Sequence, residues 1–319
     1  MLVVTDLSTP AWTAAVNGPV RSVVTIGAYD GVHLGHQAVI GEVRRRAQAL
    51  GANSVVVTFD RHPASVVRPE SAPKLLTDLD QKIELLTATG VDATVLVPFD
   101  EQQAAESPEH FVERVLVRCL GARQIVVGAD FHFGNRRRGN VALLRTLGAR
   151  FDFDVEPVEL LGRADGVAEP VSSTAIRRAL AGGQVEIAGQ MLGRPFQARG
   201  PVLQGDQRGR TIGFPTANVA VPAEICLPAD GVYAGWYLRP TGERHPCAIN
   251  LGRRPTFYEH AEASLLEAHL IDFTGDLYGE KARVEFTHFL RSERKFDGID
   301  ALVGQLKHDV DHARELLAG

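Results

Sequence analysis

Short apolar runs alternate with helix-like stretches from residue 23 to residue 158, and beyond Gly182-Gly183 that alternation stops. This switch limits the fold more than any other feature. A strand that returns through a helix lies parallel to the strand it left, whereas strands joined by tight turns fold back antiparallel. In the first stretch, residues 23–26, 54–59, 93–97, 124–127 and 153–158 read as strands, with valine prominent. Residues 35–50 and 77–89 read as helices followed by Gly51 and Gly90, and Leu79, Ile83 and Leu86 line one side of the second. Ser107-Pro108 opens another helix, with serine at the cap and proline in the first turn. The expected fold is α/β, a doubly wound parallel sheet covered by helices on both faces.

After a short helical piece ending near Met191-Leu192, six strand-like runs follow, at 198–203, 217–221, 232–238, 247–251, 265–271 and 283–289. Turn residues separate them, as in LPADG and DLYGE, so a six-stranded antiparallel β-barrel is expected. A terminal helix over 299–317 carries Leu302, Leu306, Val310 and Leu317 at helical spacing. The 319 residues therefore read as two domains, 1–187 and 188–319.

Composition narrows the class of partner. The net charge of −5 lacks the basic excess of a protein that lives on nucleic acid. Cys119, Cys226 and Cys247 are too few and too scattered for a disulfide framework, which favours a reducing compartment. The sequence shows no signal-peptide pattern at its start and no run of about eighteen apolar residues. A cytoplasmic protein with no membrane or nucleic-acid partner is expected, with homo-oligomerisation through the barrel left open.

The string TIGAYDGVHLGHQ (25–37) follows an apolar strand and leads into a helix. Such a turn suits a phosphate, because free backbone N–H groups and the helix dipole point at it. The GxxxxGK[ST] loop is absent, as is GxGxxG after a strand. What remains is His33-x-Gly35-His36, in which Gly35 lets the backbone approach a ligand and two imidazoles can donate to phosphate oxygens. Attack on the α-phosphorus of a nucleotide fits this set, since pyrophosphate leaves without a strong general acid. Taken alone, the short motif equally fits a glycine-rich turn with histidines at a helix start.

Together with TFDRHP (58–63), the segment GAYDGVHLGHQ resembles the HxGH nucleotidyltransferases, and within them the bacterial bifunctional FAD synthetases. That family pairs a riboflavin kinase with an FMN adenylyltransferase. VVGADFHFG (126–134) resembles its glycine–asparagine–aromatic loop, and VSSTAIRRAL (171–180) its SSTxIR segment. The resemblance implies that His33 and His36 are catalytic. It implies phosphate contacts for Gly27, Gly35, Ser173, Thr174 and Arg177, and a flavin site at Asp60, Asp130 and Phe131. Asp130 stands where the family has asparagine and Arg61 where it has proline; Tyr29 replaces a common phenylalanine. The run Arg136-Arg137-Arg138 could neutralise Asp130.

In the second half, GRTIGFPTAN (209–218) combines Gly209 and Gly213, suited to tight turns, with Thr216 and Asn218 on one side of an extended chain. A hydroxyl and an amide oxygen are hard ligands suited to Mg²⁺ with a nucleotide. The string resembles the flavokinase PTAN motif. GVYAGW (231–236), INLGRRPTF (249–257), LEAHLIDFTGDLYG (266–279) and RSERKFDGIDAL (291–302) follow in family order. The resemblance assigns Thr216 and Asn218 to the metal, Gly209 and Gly213 to the nucleotide, and Glu267 to the catalytic base. Arg291, Arg294 and Lys295 read equally as phosphate contacts or a solvated basic face. His308 and His312, with Asp309 and Asp311, read as a solvated helix face.

The implied activity is bifunctional: riboflavin + ATP → FMN + ADP in the C-terminal domain, then FMN + ATP → FAD + pyrophosphate in the N-terminal one, with Mg²⁺ serving both. The nearest alternative is a monofunctional riboflavin kinase with a silent N-terminal module. A nucleotidyltransferase for another substrate would leave the PTAN module unexplained, and a non-catalytic flavin-binding regulator would leave Glu267 unexplained.

Overall fold

A computed structural model describes residues 1–7, 21–205, 208–253 and 264–318, so part of INLGRRPTF, residues 254–257, lies outside the described residues. The chain divides into two compact units, Met1–Val171 and Ser172–Gly319.

In the first unit the strands are β1 (Leu2–Val4), β2 (Ser22–Ile26), β3 (Asn53–Phe59), β4 (Ala93–Val97), β5 (Ala122–Gly128), the two-residue β6 (His132–Phe133) and β7 (Gly139–Asn140), and β8 (Asp154–Val158). Six of them form one sheet in the order β1-β4-β3-β2-β5-β8, and every pairing in it is parallel. The main helices are α1 (Leu34–Leu50), α2 (Leu79–Ala88), α3 (Pro108–Phe111), which runs on into a π-helical stretch over Val112–Cys119, and α4 (Val141–Phe151); short helical turns also span Pro63–Val67 and Glu101–Ala105. Valine dominates the central strands because both of their faces are covered. One face packs Val24, Ile26, Val55, Val57, Ile125 and Val127 against Val112, Val115, Leu116, Leu144 and Leu147. The opposite face packs Val23 and Val126 against Val43 and Ala47 of α1, and Val56 against Ile40 and Leu86. Each such valine, leucine or isoleucine, fully buried, contributes about 1.5–3 kcal/mol. The doubly wound expectation holds, with edge strand β1 and the β6–β7 hairpin as additions.

The second unit begins with α5 (Ser173–Ala181) and α6 (Val185–Leu192). It continues into β9 (Phe196–Leu203), β10 (Ala217–Val219), β11 (Gly231–Leu238), β12 (Arg244–Arg253), β13 (Ser264–Leu270) and β14 (Lys281–Arg291). These six close into a barrel in the order β10-β13-β12-β11-β14-β9, antiparallel throughout. Closure removes exposed sheet edges. Inside it, Phe286 meets Tyr233 edge-to-face at 5.3 Å and Phe196 at 6.0 Å. The terminal helix α7 (Ile299–Leu317) lays Val310, Ala313 and Leu317 against Ala234, Ala248, Ile271 and Leu290 on the barrel's outside.

Two sequence readings change here. Arg291 is not part of a solvated basic patch: its guanidinium grips the Asp309 carboxylate at 3.0 and 2.7 Å. Asp309 is correspondingly buried, so the solvated-face reading of the last helix holds for His308 and Asp311 but not for Asp309. The salt bridge ties α7 to β14. Removing only the guanidinium strands a buried carboxylate, a change that costs about 3–5 kcal/mol; the hydrogen bond from Gln305 to Asp309 at 2.6 Å points to the lower end. Arg291→Met should therefore lower stability by about 3 kcal/mol in urea unfolding, and adding Asp309→Leu should restore most of the loss.

Candidate active sites

In the first unit the order of strands reverses direction at β2: β3 and β4 lie to one side, β5 and β8 to the other. Open parallel sheets bind ligands at the carboxyl ends of their strands at such a reversal. The chain leaving β2 runs from Gly27 to His33 before α1 begins. This turn is strained, because Tyr29 (φ 50°) and Val32 (φ 40°) adopt left-handed conformations rare for bulky or β-branched residues. Asp30 pins it from within: its buried carboxylate accepts the backbone N–H groups of Leu76 at 2.9 Å and Thr77 at 3.2 Å. Gly31 N–H also donates to Thr77 Oγ1 at 3.1 Å.

His33 caps α1, its Nδ1 accepting the N–H of His36 at 3.3 Å. An accepting Nδ1 places the ring proton on Nε2, leaving that atom as a donor. The two rings stack 3.6 Å apart at 18°, with Tyr29 4.8 Å from His36 on another side. Tyr29 satisfies its own hydroxyl with Thr25 Oγ1 at 2.7 Å, which accommodates the exchange from phenylalanine. Burial, and secondarily the adjacent His33, hold the His36 imidazole well below the ordinary histidine range. His36 is thus neutral at pH 7, and its buried Nδ1 has no hydrogen-bond partner. Gly35 is closely packed: a Cβ there would come within 3.2 Å of the His33 ring and 3.3 Å of the Val171 carbonyl. No acidic residue occupies the first turn of α1, so its amides remain favourable to an anion.

Gly27 begins this turn, and its N–H donates to Val57 O at 3.0 Å. Asp60 follows β3 and accepts Phe99 N–H at 2.8 Å, while Arg61 approaches it at 3.7 Å. Asp130 and Phe131 follow β5; Asp130 is exposed, and Phe131 stacks on Phe133 at 5.5 Å. The strand order thus brings the ends of β2, β3 and β5, with Gly27, Asp60, Asp130 and Phe131, to one edge of the sheet. Among the described residues Asp130 makes no salt bridge with Arg136, Arg137 or Arg138, all exposed. The buried Lys82 went unnoticed in sequence: its ammonium donates to Phe59 O at 2.7 Å and reaches Ala28 O at 3.5 Å, tying the ends of β2 and β3.

In the second unit, Ser172 caps α5 by accepting Ala175 N–H at 3.1 Å. Ser173 and Thr174 are the first helical residues, and Arg177 lies one turn on. Ser172 thus takes the capping role, and Ser173 and Thr174 lie in the first turn of the helix.

The barrel places the other set. Register pairs Asn218 with Glu267 and Glu267 with Asn250, a row of three across β10, β13 and β12. Directly opposed residues bring their Cβ atoms to about 4.5–5.5 Å. These residues are half-buried and alternate with the buried Ala217, Val219, Leu266, Ala268, Ile249 and Leu251, so the row lies on the barrel's outer face. Thr216, two residues before Asn218, shares that face. Asn218 Oδ1 is a buried acceptor without a hydrogen-bond partner, and Gly205 packs so closely that a Cβ there would strike the Asn218 amide at 2.3 Å. The preceding turn closes through Phe214 N–H to Gly209 O at 2.8 Å, and a Cβ on Gly209 would meet the Phe214 carbonyl at 2.3 Å. Gly213 takes φ 85°. Asn250 and Gly205 escaped sequence reasoning, because no local string shows which strand lies beside Glu267.

The two halves match two families, FAD synthetase over residues 17–175 and riboflavin kinase over residues 192–317. Relatives named bifunctional riboflavin kinase/FMN adenylyltransferase include one from Listeria monocytogenes, 37% identical over 98% of this chain and 96% of its own length. Another, from Pseudomonas fluorescens, is 40% identical over 93% of both chains. A crystal structure described as a macrolide-efflux protein from Streptococcus pneumoniae superposes with a TM-score of 0.85 at 30% identity, covering 98% of this chain and 99% of the other. Among the described residues here, no helix is long and apolar enough to cross a membrane. With both regions matched in order and relatives aligned along nearly its whole length, the chain belongs to the bifunctional riboflavin kinase/FMN adenylyltransferase family.

Proposed function

We propose that this protein makes FAD from riboflavin in two steps, phosphorylation by the barrel followed by adenylylation at the parallel sheet. The observation that carries this reading is the presence of two chemically distinct constellations, the His33–His36 stack and the Asn218–Glu267–Asn250 row. The functional domains are 1–187 and 188–319, a division supported by family matches that end at 175 and resume at 192. Three free, buried cysteines support a cytoplasmic location.

At the first site, the FMN phosphate attacks the α-phosphorus of ATP and pyrophosphate leaves. His33, donating from Nε2, and neutral His36 stabilise charge on the non-bridging oxygens. Gly27 and Gly35 let the backbone approach the phosphates, Ser173, Thr174 and Arg177 supply further phosphate donors, and Asp60, Asp130 and Phe131 contact the flavin. At the barrel site, Glu267 takes the proton of the riboflavin terminal hydroxyl as that oxygen attacks the γ-phosphorus. Gly209 and Gly213 shape the nucleotide turn. The orphaned Asn218 Oδ1 and the neighbouring Thr216 hydroxyl fit Mg²⁺, which when bound neutralises phosphate charge.

Two substitutions separate the reactions. His36→Ala should slow FAD formation from FMN by about 10²–10³-fold and leave riboflavin phosphorylation intact. Glu267→Gln should slow FMN formation by about 10²–10⁴-fold while supplied FMN is still converted to FAD. Equal loss of both activities in either folded variant contradicts two independent sites.

The neutral state of His36 has a stability consequence. An unfolded histidine protonates near pH 6.5, whereas His36 in the fold does so only at lower pH. Between those values the unfolded chain binds the extra proton, so acid weakens the fold. Thermal unfolding at pH 7.5 and pH 5.5 should show a smaller acid-induced fall for His36→Gln than for wild type.

A further inference from the structure

His269 lies on the same outer face as Glu267, two residues along β13. Its Nδ1 is 2.8 Å from the carbonyl oxygen of Pro215. A carbonyl only accepts, so Nδ1 carries the hydrogen and donates. The His269 ring also packs on Phe214, with centroids 5.3 Å apart at 59°. Thus one side chain of β13 holds the two residues immediately before Thr216.

That lead-in needs such support. Strand β10 is only three residues long and its pairing with β13 begins at Ala217 opposite Ala268. Continuing the register sets Thr216 opposite His269, beyond the last backbone pair. Pro215 has no N–H of its own with which to join a ladder. The imidazole bond therefore replaces the ladder bond that would otherwise fix the chain just before Thr216, and it anchors that residue to the strand carrying Glu267.

We propose that His269 is a positioning residue for the kinase site: by holding the Pro215 carbonyl, it sets Thr216 and Asn218 in the geometry that receives a magnesium–nucleotide next to Glu267. This inference rests on the kinase reading of the barrel. His269 itself touches neither nucleotide nor metal and acts through Pro215.

The two amide side chains make the test specific. The amide nitrogen of asparagine can occupy the place of Nδ1, whereas that of glutamine occupies the place of Nε2. Binding of ADP to the full chain is measured by titration calorimetry in MgCl₂ and in EDTA, alongside riboflavin phosphorylation. The contribution of the first unit is common to all variants and cancels in the comparison. His269→Ala and His269→Gln should lose about tenfold of the magnesium-dependent gain in ADP affinity, and their KM for magnesium–ATP should rise more than kcat falls. His269→Asn should retain both. If the alanine variant fails to fold, the asparagine–glutamine pair still decides. Wild-type affinity in His269→Ala, or indistinguishable asparagine and glutamine variants, overturns the proposal. A wild type that makes no FMN and binds ADP without regard to magnesium overturns the kinase reading itself, and this proposal with it.

Discussion

A buried carboxylate holds the turn on which the proposed adenylyltransferase site stands. Tyr29 and Val32 sit at positive φ, a strain on the order of 1–3 kcal/mol each. Asp30, between them, accepts two backbone N–H groups from residues 76 and 77, and such bonds to a carboxylate contribute about 1.5–3 kcal/mol each. The two magnitudes offset, so the turn keeps a shape its own residues would not choose. That shape brings His33 to the cap of α1 and lays its ring on His36. Burial, with His33 as a second cause, keeps His36 neutral, which suits a donor that must lie beside another imidazole.

The barrel reaches its site by a different route. None of the three residues of its row sits at positive φ, because antiparallel pairing sets Asn218, Glu267 and Asn250 side by side on the outer face while their neighbours fill the core. Slipping any one strand by a single residue would turn its member of the row into the barrel interior. Interior packing of Tyr233, Phe196 and Phe286 thus defends the geometry of the proposed kinase site as well as the fold. The Arg291–Asp309 bridge adds the terminal helix to the same body.

Much of this was legible in the sequence. Valine runs marked the buried parallel strands, turn residues marked the barrel, and both expectations hold with nearly the same limits. The three-residue β1 was not legible, since Leu2–Val4 is a strand only by pairing with β4. Nor was the π-helical stretch Val112–Cys119, whose spacing departs from the usual helical period. His33, His36, Thr216, Asn218 and Glu267 stood out because each carries the donor, ligand or base that gives its local string a chemical reading. Asp30, Lys82, Asn250 and His269 did not, because their partners lie 46, 23, 17 and 54 residues away respectively. Local pattern carries the groups proposed to meet the substrates; the groups that aim them depend on tertiary pairing.

Two family regions and two constellations on one chain imply that it carries both reactions. This is tested most directly by incubating the purified protein with ATP and MgCl₂, starting one reaction from riboflavin and a parallel one from FMN, and separating the flavins by chromatography. FAD is expected in both. FMN accumulating from riboflavin, with no FAD in either reaction, would contradict the bifunctional reading and leave the barrel as the sole working half, with Asp130 and Arg61 the first residues to examine.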